Sequence, residues 1–258
     1  MKHFRSYLCV CSGLLFAGSY LAAAEGPESY RLELSASLLR MNTNGTIYGD
    51  GTSINLLSDL GVFQRKRIYD GRLVFKFHRK QRFVLEGTPL SFNGLNTLHR
   101  SVTYFHNQYS INETLTSSAH INYIYGGFHH AWLSGSMGRL GSSIGASYLG
   151  LAGSLQGEPS GLSKKDSIPF GLPLAGADFR LYFIPNKRWV ALEGAVRGLP
   201  AGRYGHWVEG TAGLGGWMGP VGLQLGYREL LVDFHTALAA NGLNLRFSGP
   251  MATLFWNW

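Results

Sequence analysis

The last stretch of the chain restricts the possible folds more than any other segment. It opens on the turn pair Asn241-Gly242 and then alternates between two faces up to the final residue. Leu254, Trp256 and Trp258 share one face, and the residues between them share the other. A period of two is the period of a β-strand, in which successive side chains point to opposite sides. The chain therefore ends in a strand with a row of large apolar side chains, a pattern found in soluble sandwiches and in membrane barrels alike.

The other end of the chain separates these two possibilities. Lys2 and Arg5 precede an apolar run over residues 7–21, and the alanines at 22–24 then meet Glu25. This order is typical of a secretory leader with a small-residue cleavage site. The apolar run is shorter than the roughly 20 residues of a membrane-spanning helix. We expect cleavage of residues 1–24, which leaves 25–258 as one exported domain and favours a transmembrane β-barrel.

The cysteine and charge content limits the kinds of site and the kinds of partner that we expect for this domain. Cys9 and Cys11 are the only cysteines and both lie in the leader, so we expect no disulfide and no thiolate site in the mature chain. The net charge is +8, and removal of Lys2 and Arg5 leaves +6. That charge suits the anionic surface of a Gram-negative cell, so we expect outer-membrane lipid and lipopolysaccharide as partners. The basic residues are scattered, and no nucleic-acid partner is expected.

Between the two ends, the chain divides into ten alternating segments. We predict strands over residues 30–41, 71–78, 82–89, 115–125, 140–154, 172–184, 189–199, 207–217, 221–230 and 241–258. Short turns at 79–81, 185–187 and 218–220 alternate with long connections at 42–67, 93–112 and 156–170. This asymmetry is typical of outer-membrane barrels, whose short turns face the periplasm. The sequence therefore predicts an all-β fold, a transmembrane antiparallel up-and-down β-barrel of about ten strands.

A barrel of eight strands is the main alternative to this prediction. Segment 140–154 is small and glycine-rich, and region 128–138 before it reads as a turn with no clear boundaries. Either count is even, which returns both termini to the periplasm.

The alternation also predicts which side chains face lipid. In the first segment Leu34 and Leu38 share the apolar face, which is expected to meet lipid, and Glu33 lies on the face expected to line the lumen. In the fourth segment the same rule places Tyr123 and Tyr125 outside, at the membrane boundary where aromatic girdles lie. The polar residues that alternate with these tyrosines are then expected inside.

Several short segments match a known pattern. They are Ile54–Val62 with its Asp59-Leu60-Gly61, the basic turn Arg79-Lys80-Gln81, Leu172-Pro173, Leu225–Arg228 and Gly249-Pro250. Together they resemble a family of small, mostly uncharacterised Gram-negative outer-membrane β-barrel proteins, over most of the mature chain. The chain departs from that pattern at Asn55, where the family has an acidic residue. The resemblance implies the same fold and an outer-membrane location, and it implies no particular substrate.

We interpret the aromatic end of the last strand as an assembly signal. Trp258, reinforced by Trp256, resembles the terminal aromatic residue that the outer-membrane barrel-assembly machinery reads. We therefore expect that machinery as a partner. The assembled barrel is expected to be a monomer.

Charged residues collect on the faces predicted to line the lumen. The interior of a barrel of eight to ten strands is roughly filled by side chains, and buried ions must pair or meet water. We predict one connected network that stiffens the barrel, with each carboxylate beside an arginine. A narrow polar pore is the alternative interpretation. The residues predicted to form the network are Asp178, Arg180, Glu193, Arg197, Glu209 and Arg228.

One short motif points to a protease instead. Asp233-Phe234-His235 resembles the acid–histidine pair of the omptin proteases, and such a pair can activate a water molecule. The omptin pattern also needs two further acids close together. Asp50 and Asp59 are the only candidates in the loops, and they are too far apart in the sequence to match.

A second motif resembles a different hydrolase. His129-His130 with Ser134 is similar to the serine and histidine of lipid A deacylases, but no acid lies nearby in the sequence and the pair is expected at a periplasmic turn. The two histidines also lack a third metal ligand at a useful spacing. We therefore predict no catalytic, cofactor-binding or metal residues and a non-enzymatic barrel, with a structural, surface or narrow-pore role. A membrane-embedded hydrolase of omptin or deacylase type is the alternative function.

Overall fold

The computed structural model describes residues 28–49, 52–62, 65–104, 107–235 and 242–258. The predicted leader, residues 1–24, and Asp50 lie outside these ranges. Within the described ranges, no helix is long and apolar enough to cross a membrane. The strands are β1 (Leu32–Gly49), β2 (Thr52–Asn55), β3 (Arg65–His78), β4 (Gln81–Thr97), β5 (Val102–Tyr104), β6 (Asn107–Tyr109), β7 (Thr114–Gly135), β8 (Gly138–Glu158), β9 (Ser163–Ile184), β10 (Lys187–Pro200), β11 (Gly205–Met218), β12 (Val221–His235) and β13 (Gly242–Asn257), with one 3₁₀ turn at Gly202–Tyr204.

Ten of these strands form one closed antiparallel barrel. Each barrel strand pairs with its neighbours along the chain, and β13 pairs back onto β1. Short β2 extends β1, and β5 and β6 form a separate hairpin. The predicted fold class and the ten-strand count are confirmed. The eight-strand alternative is wrong, because segment 140–154 lies within β8, which pairs along its whole length with β7.

The two ends of the barrel differ in their connections. Four two-residue turns lie at one end, at 79–80, 136–137, 185–186 and 219–220. The segment before β1 and the end of β13 meet at the same end, where the Arg31 amide donates a hydrogen bond to the Trp258 carbonyl at 2.6 Å. We refer to it as the periplasmic end, following the orientation of outer-membrane barrels. The turn predicted at 128–138 is therefore limited to its last residues, since β7 runs to Gly135.

The connections at the opposite, extracellular end are shorter than the sequence predicts. Much of 42–67, 93–112 and 156–170 belongs to strands, because β1 has 18 residues and β7 and β9 have 22 each. A tilted strand crosses the bilayer with about 9–11 residues. The barrel strands therefore project beyond the membrane at this end.

A belt of apolar side chains covers the outer face. In β1, Leu34 and Leu38 are exposed, whereas Glu33, Ser35 and Ser37, which alternate with the outward residues, are buried. The same alternation continues around the barrel, and its exposed members include Phe75, Phe83, Ile144, Leu181, Val196, Leu214, Leu225 and Leu254. A soluble protein rarely exposes so continuous an apolar surface. The belt is what the lipid-facing band of a membrane barrel requires.

The register predicted for the fourth segment is wrong by one residue. Tyr123 and Tyr125 are buried inside the barrel at 2% and 0% exposure, whereas His120 and Asn122 are exposed on the outer face. The lumen at this level is lined by apolar side chains, and this part of β7 extends toward the extracellular end. In this part of β7 the inner face is apolar and the outer face is polar. A membrane-spanning strand around a polar lumen would show the reverse.

The glycines of β8 and its partner make room for a lumen side chain. The ring of Tyr125 lies so close to Gly145 that a Cβ there would be 2.9 Å from it. A Cβ at Gly127 would collide with the hydroxyl end of the same ring. A glycine inside a strand commonly marks such a close approach, so the small residues that make this segment look weak have a packing role.

Two connections fold over the extracellular mouth and form a cap. The described part of the cap consists of residues 52–62, 98–104 and 107–113, and it buries apolar side chains against the inner face of the barrel. Arg100 donates a hydrogen bond to Asp59 at 2.5 Å, and the Ser117 hydroxyl donates one to the Leu60 carbonyl at 3.1 Å. Gly94 of β4 permits this contact, because a Cβ there would collide with the Leu60 carbonyl.

Deletion of residues 256–258 is expected to prevent closure of the barrel. It removes ladder pairs between β13 and both of its neighbours, together with the Trp258 carbonyl that binds the β1 end of the chain. The unheated protein should then lose the fast-migrating folded band on a denaturing gel, and its level in the outer-membrane fraction should fall. A Trp258→Phe variant keeps the aromatic end and should behave like the wild type. Normal folding and insertion of the truncated chain would show that the end of the last strand is dispensable.

Candidate functional site

The side chains that line the inside of the barrel change from charged to apolar along the barrel axis. Near the periplasmic end, the inward side chains of the strands are largely charged or hydroxylic. Toward the extracellular end, the inward side chains are apolar and join the cap in one continuous hydrophobic cluster, which includes Leu39, Met41, Leu90, Phe92, Tyr123, Trp207, Leu230 and Phe247. The charged region is therefore bounded on one side by an apolar layer.

The six residues predicted for the lumen all lie on the inner face of β9 to β12. Arg180 faces Glu193 directly across the β9–β10 ladder, and Arg197 faces Glu209 across the β10–β11 ladder. Oppositely charged residues in such cross-strand positions are close enough to pair. Five of the six side chains belong to buried residues and that of Arg197 is 12% exposed; the full set is Asp178, Arg180, Glu193, Arg197, Glu209 and Arg228.

Arg180 is the centre of the charged group nearest the periplasmic end. Its Nη1 donates to Glu33 at 2.9 Å and to the Tyr30 hydroxyl at 3.1 Å, and its Nε and Nη2 each donate to a Glu193 oxygen at 3.0 Å. The guanidinium also lies 4.9 Å from the ring centre of Trp217. This two-pronged pairing fixes the side chain in one orientation. We call the group the lower cluster; its charged members are Glu28, Glu33, Arg72, Lys76, Arg82, Arg139, Asp178, Arg180 and Glu193.

The segment before β1 contributes Glu28 to the lower cluster. Glu28 accepts a hydrogen bond from the Tyr182 hydroxyl at 2.8 Å and lies 3.4 Å from Arg139 Nε. Burial alone raises the pKa of Glu28, but the positive charges of Arg139, Arg180 and Lys76 outweigh it and hold that pKa well below its ordinary value. The carboxylate of this segment therefore stays ionised and ties the start of the domain to the inside of the barrel.

Asp178 belongs to the lower cluster through partners that the sequence did not indicate. It pairs with Arg82, and Arg139 Nη1 lies 3.5 Å from it. His129 Nδ1 lies 2.8 Å from the other carboxylate oxygen. Asp178 therefore joins β4, β7 and β8 to β9, instead of pairing with the arginines of β10 to β12.

A second charged group lies farther from the periplasmic end, and we call it the upper cluster. Arg197 Nε donates to Glu209 at 2.7 Å, and Arg197 Nη2 donates to Glu86 at 2.8 Å. Arg228 donates to Glu86 at 2.7 Å and to Asp70 at 3.1 Å, and it also pairs with Glu209. Three carboxylates thus surround two guanidinium groups, and each carboxylate lies beside at least one arginine.

The predicted single network is therefore divided into two clusters. Among the described residues, no ion pair joins the lower cluster to the upper one. Tyr125 lies between them: its ring centre is 4.0 Å from the Arg197 guanidinium, and its hydroxyl is 3.3 Å from His129 Nε2. The clusters also approach each other at the β3–β4 ladder, where Arg72 of the lower cluster lies directly opposite Glu86 of the upper cluster.

A cavity of about 70 Å³ separates parts of the two clusters. Hydroxyl groups of Ser35, Ser37, Ser143 and Thr253 line it together with charged side chains of both clusters. A water molecule needs roughly 10–15 Å³ of such space and two to four polar partners. The cavity therefore suits a few water molecules, which is the environment in which incompletely paired charges are tolerated.

The sequence-based set omitted some cluster members because it drew only on the predicted strands 172–184, 189–199, 207–217 and 221–230, and others because they lie outside every predicted strand. Asp70 and Arg139 lie one residue outside the predicted strands, and Glu28 precedes the first of them. Extending the alternation by one position places Asp70 on the face of Arg72 and places Arg139 on the inner face of β8. The alternation therefore predicts the inward position of Asp70 and Arg139 once these two strands are extended.

The two hydrolase motifs are not assembled into a site. Asp233 and His235 lie 3.4 Å apart near the extracellular end of β12. They alternate with inward Val232 and Phe234, so both point away from the lumen. In the part of the chain that the structure describes, no second carboxylate contacts this pair.

The deacylase-type motif is divided between the two faces of β7. His129 points into the lower cluster, whereas His130 is exposed on the outer face. The turn expected around them is continuous strand. Within the described residues, no group of three or more His, Cys, Asp or Glu side chains is arranged to hold a metal ion.

Comparison with known proteins shows the fold and no closer relationship. No protein-family model matches the sequence, and no curated protein matches it. Among solved structures, the outer membrane protease OmpT from Escherichia coli is similar with a TM-score of 0.57 at 10% identity, over 92% of this chain and 99% of that chain. The transport unit of the autotransporter AIDA-I from Escherichia coli has a TM-score of 0.47 at 9% identity, over 96% and 97% of the two chains. The outer membrane protein OprG from Pseudomonas aeruginosa has a TM-score of 0.38 at 9% identity, over 90% and 98%.

At 10% identity the likeness to OmpT shows the barrel fold alone. The chain is a closed ten-stranded barrel of the kind found in Gram-negative outer membranes.

Glu193→Ala is expected to destabilise the barrel by about 3 kcal/mol, the lower end of the cost of removing one partner from a buried ion pair. The lower end applies because Arg180 keeps Glu33, while Arg72 and Arg139 lose their contacts with Glu193. The measurement is the free energy of unfolding from urea titration of the refolded barrel.

Glu229→Ala is the matched control for this prediction. Glu229 pairs with Arg246 at 2.7 Å on the outer surface, where the two side chains are 35% and 61% exposed. Such a pair contributes about 0.2–1 kcal/mol. Equal effects of the two substitutions would show that the lower cluster is as well hydrated as the surface.

Proposed function

We propose that this protein is a bacterial outer-membrane barrel that acts through its surface, as a closed and non-conducting scaffold for its extracellular cap and outer face. The observation that carries the proposal is the filling of the lumen by three successive layers. The first layer is formed by the two ion clusters together, the second is the apolar layer, and the third is the cap. Each layer occupies the lumen at a different height, and each holds the barrel wall by cross-barrel contacts.

The apolar layer is the strongest argument against a pore. The rings of Tyr123 and Trp207 stack with centres 5.6 Å apart, and those of Phe92 and Phe247 stack at 5.8 Å. These pairs come from strands on different sides of the barrel, so they span the lumen. Hydrophobic constrictions exclude water and ions, so we expect this layer to close the lumen.

The ion clusters support the same role from the periplasmic side. An ion path needs charged groups that are free to exchange a protein partner for a passing ion. The buried arginines Arg180 and Arg228 each bind two or more carboxylates. Breaking such contacts leaves a buried charge unpaired, which is strongly unfavourable. The clusters therefore act as fixed cross-links between strands.

An outer-membrane location is supported by four independent features. The outer face carries a continuous apolar belt, the start of β1 and the end of β13 meet at the end with two-residue turns, and the fold is that of outer-membrane barrels. The fourth feature is the leader read from residues 1–24. We assign the residues before Glu25 to a cleaved secretory signal as part of the same proposal.

An enzymatic role is not favoured by the arrangement of the residues. A general base must lie within hydrogen-bond reach of the group it activates, in a pocket that holds the substrate. Asp233 and His235 instead face outward near the rim. His129 is enclosed by Asp178 and Tyr125 beneath the apolar layer.

The purified wild-type barrel is expected to give no steady conductance in a planar lipid bilayer. Glu193→Ala should also be silent, because the apolar layer stays closed when the lower cluster is weakened. A Tyr123→Ala/Trp207→Ala double variant removes two stacked rings and should increase the frequency of conducting events. A general porin reconstituted in the same bilayer provides the positive control. Steady conductance of the wild type would contradict the closed-scaffold role. The location is tested independently by separating the inner and outer membranes of cells and finding which fraction contains the protein.

A further inference from the structure

Two arginines face each other on the outside of the barrel. Arg40 of β1 lies directly opposite Arg67 of β3 in the ladder, and both are exposed. Directly opposed residues of antiparallel strands have Cβ atoms roughly 4.5–5.5 Å apart. Like charges in this position are unfavourable unless something of opposite charge lies between them.

The protein itself supplies no such counter-charge among its described residues. Neither Arg40 nor Arg67 has a carboxylate partner there, although most other arginines of the barrel wall do. Arg246, on the neighbouring strand β13, shows the contrast, since it pairs with Glu229 at 2.7 Å. The opposed pair is therefore a local excess of positive charge on the outer surface.

The position of the pair along the barrel indicates what it meets. One step toward the periplasmic end, Leu38 and Tyr69 oppose each other and are 44% and 68% exposed, within the apolar belt. One step the other way, the outward residue of β1 is the exposed, polar Asn42. Arg40 and Arg67 thus lie at the boundary between the lipid-facing belt and the polar extracellular part of the wall.

We propose that Arg40 and Arg67 bind a phosphate group of an anionic lipid in the outer leaflet. Guanidinium groups bind phosphate through two parallel hydrogen bonds, so a phosphate between them satisfies both charges at once. The acyl chains of the same lipid then lie along Leu38 and Tyr69. This inference rests on the outer-membrane placement proposed above and assigns it a specific lipid contact.

The apolar neighbours are the reason for choosing a lipid over a free phosphate. An exposed arginine pair in water is open to any anion and is screened by salt. Here, one flank of the pair is apolar surface that a free phosphate leaves uncovered, whereas a phosphorylated lipid covers it. Arginine side chains can also reach a membrane interface without binding a particular lipid, and this alternative is an outcome of the experiment below.

The experiment titrates the refolded barrel, in a neutral detergent, with purified lipopolysaccharide and counts bound lipid by native mass spectrometry. The Arg40→Gln/Arg67→Gln variant is expected to bind roughly tenfold more weakly than wild type, as loss of charge-assisted hydrogen bonds implies. The matched control is Arg79→Gln/Lys80→Gln, which removes the same charge from the periplasmic end. Its affinity should equal that of the wild type.

Two further probes separate the sources of the phosphate. Dephosphorylated lipopolysaccharide should bind wild type as weakly as the intact lipid binds the arginine variant. Inorganic phosphate at equal concentration should not displace the lipid, and efficient displacement would overturn the lipid assignment in favour of a simple anion site. Equal lipid binding by wild type and the arginine variant would overturn the proposal altogether. Heat-modifiable migration on a gel checks that each variant is folded. The outer-membrane location is tested separately in fractionated cells, so a failure of that proposal is distinguishable from a failure of lipid binding.

Discussion

The structure depends on one requirement, which is that every backbone amide and carbonyl in a bilayer must find a partner within the protein. The β1–β13 ladder meets it, because it pairs the first and last barrel strands and leaves no open edge in the wall. Closure then encloses an interior that must be filled. Ten strands leave room for side chains and a few water molecules, and the chain fills that room with ions at one end and aromatic and aliphatic groups at the other.

The two halves of the interior stabilise the wall in different ways. In the lower half Arg180 and its carboxylates join strands through directional contacts, so they fix the register. In the upper half, rings such as those of Tyr123 and Trp207 fill space and exclude water. Tyr125 takes part in both, since it packs against Gly145 and contacts Arg197. The proposed closed scaffold follows from this combination, because neither half depends on a bound ligand to complete it.

Much of the fold could be predicted from alternation, and the failures concern the height of a residue in the barrel and contacts across the barrel. The register of β9 to β12 followed from the contrast between outward leucines and inward residues such as Arg180 and Glu209. The register of Tyr123 did not, because an apolar lumen reverses the polarity of the inner face and a single strand does not reveal its height in the barrel. The division into two clusters depends on contacts across the barrel, as between Arg82 and Asp178. Neighbour relations along the sequence contain no information about such contacts.

The docking of Glu28 inside the barrel has a consequence for how the protein folds. Its hydrogen bond with Tyr182 joins residues 154 positions apart, and Arg180 reaches Glu33 across 147 positions. Contacts between such distant parts of a chain form late, and folds rich in them fold slowly. A partly inserted barrel would hold arginines without their carboxylates in a medium of low dielectric constant. Such partly inserted intermediates are therefore high in free energy. The last stages of insertion and barrel closure are expected to proceed as a single cooperative event.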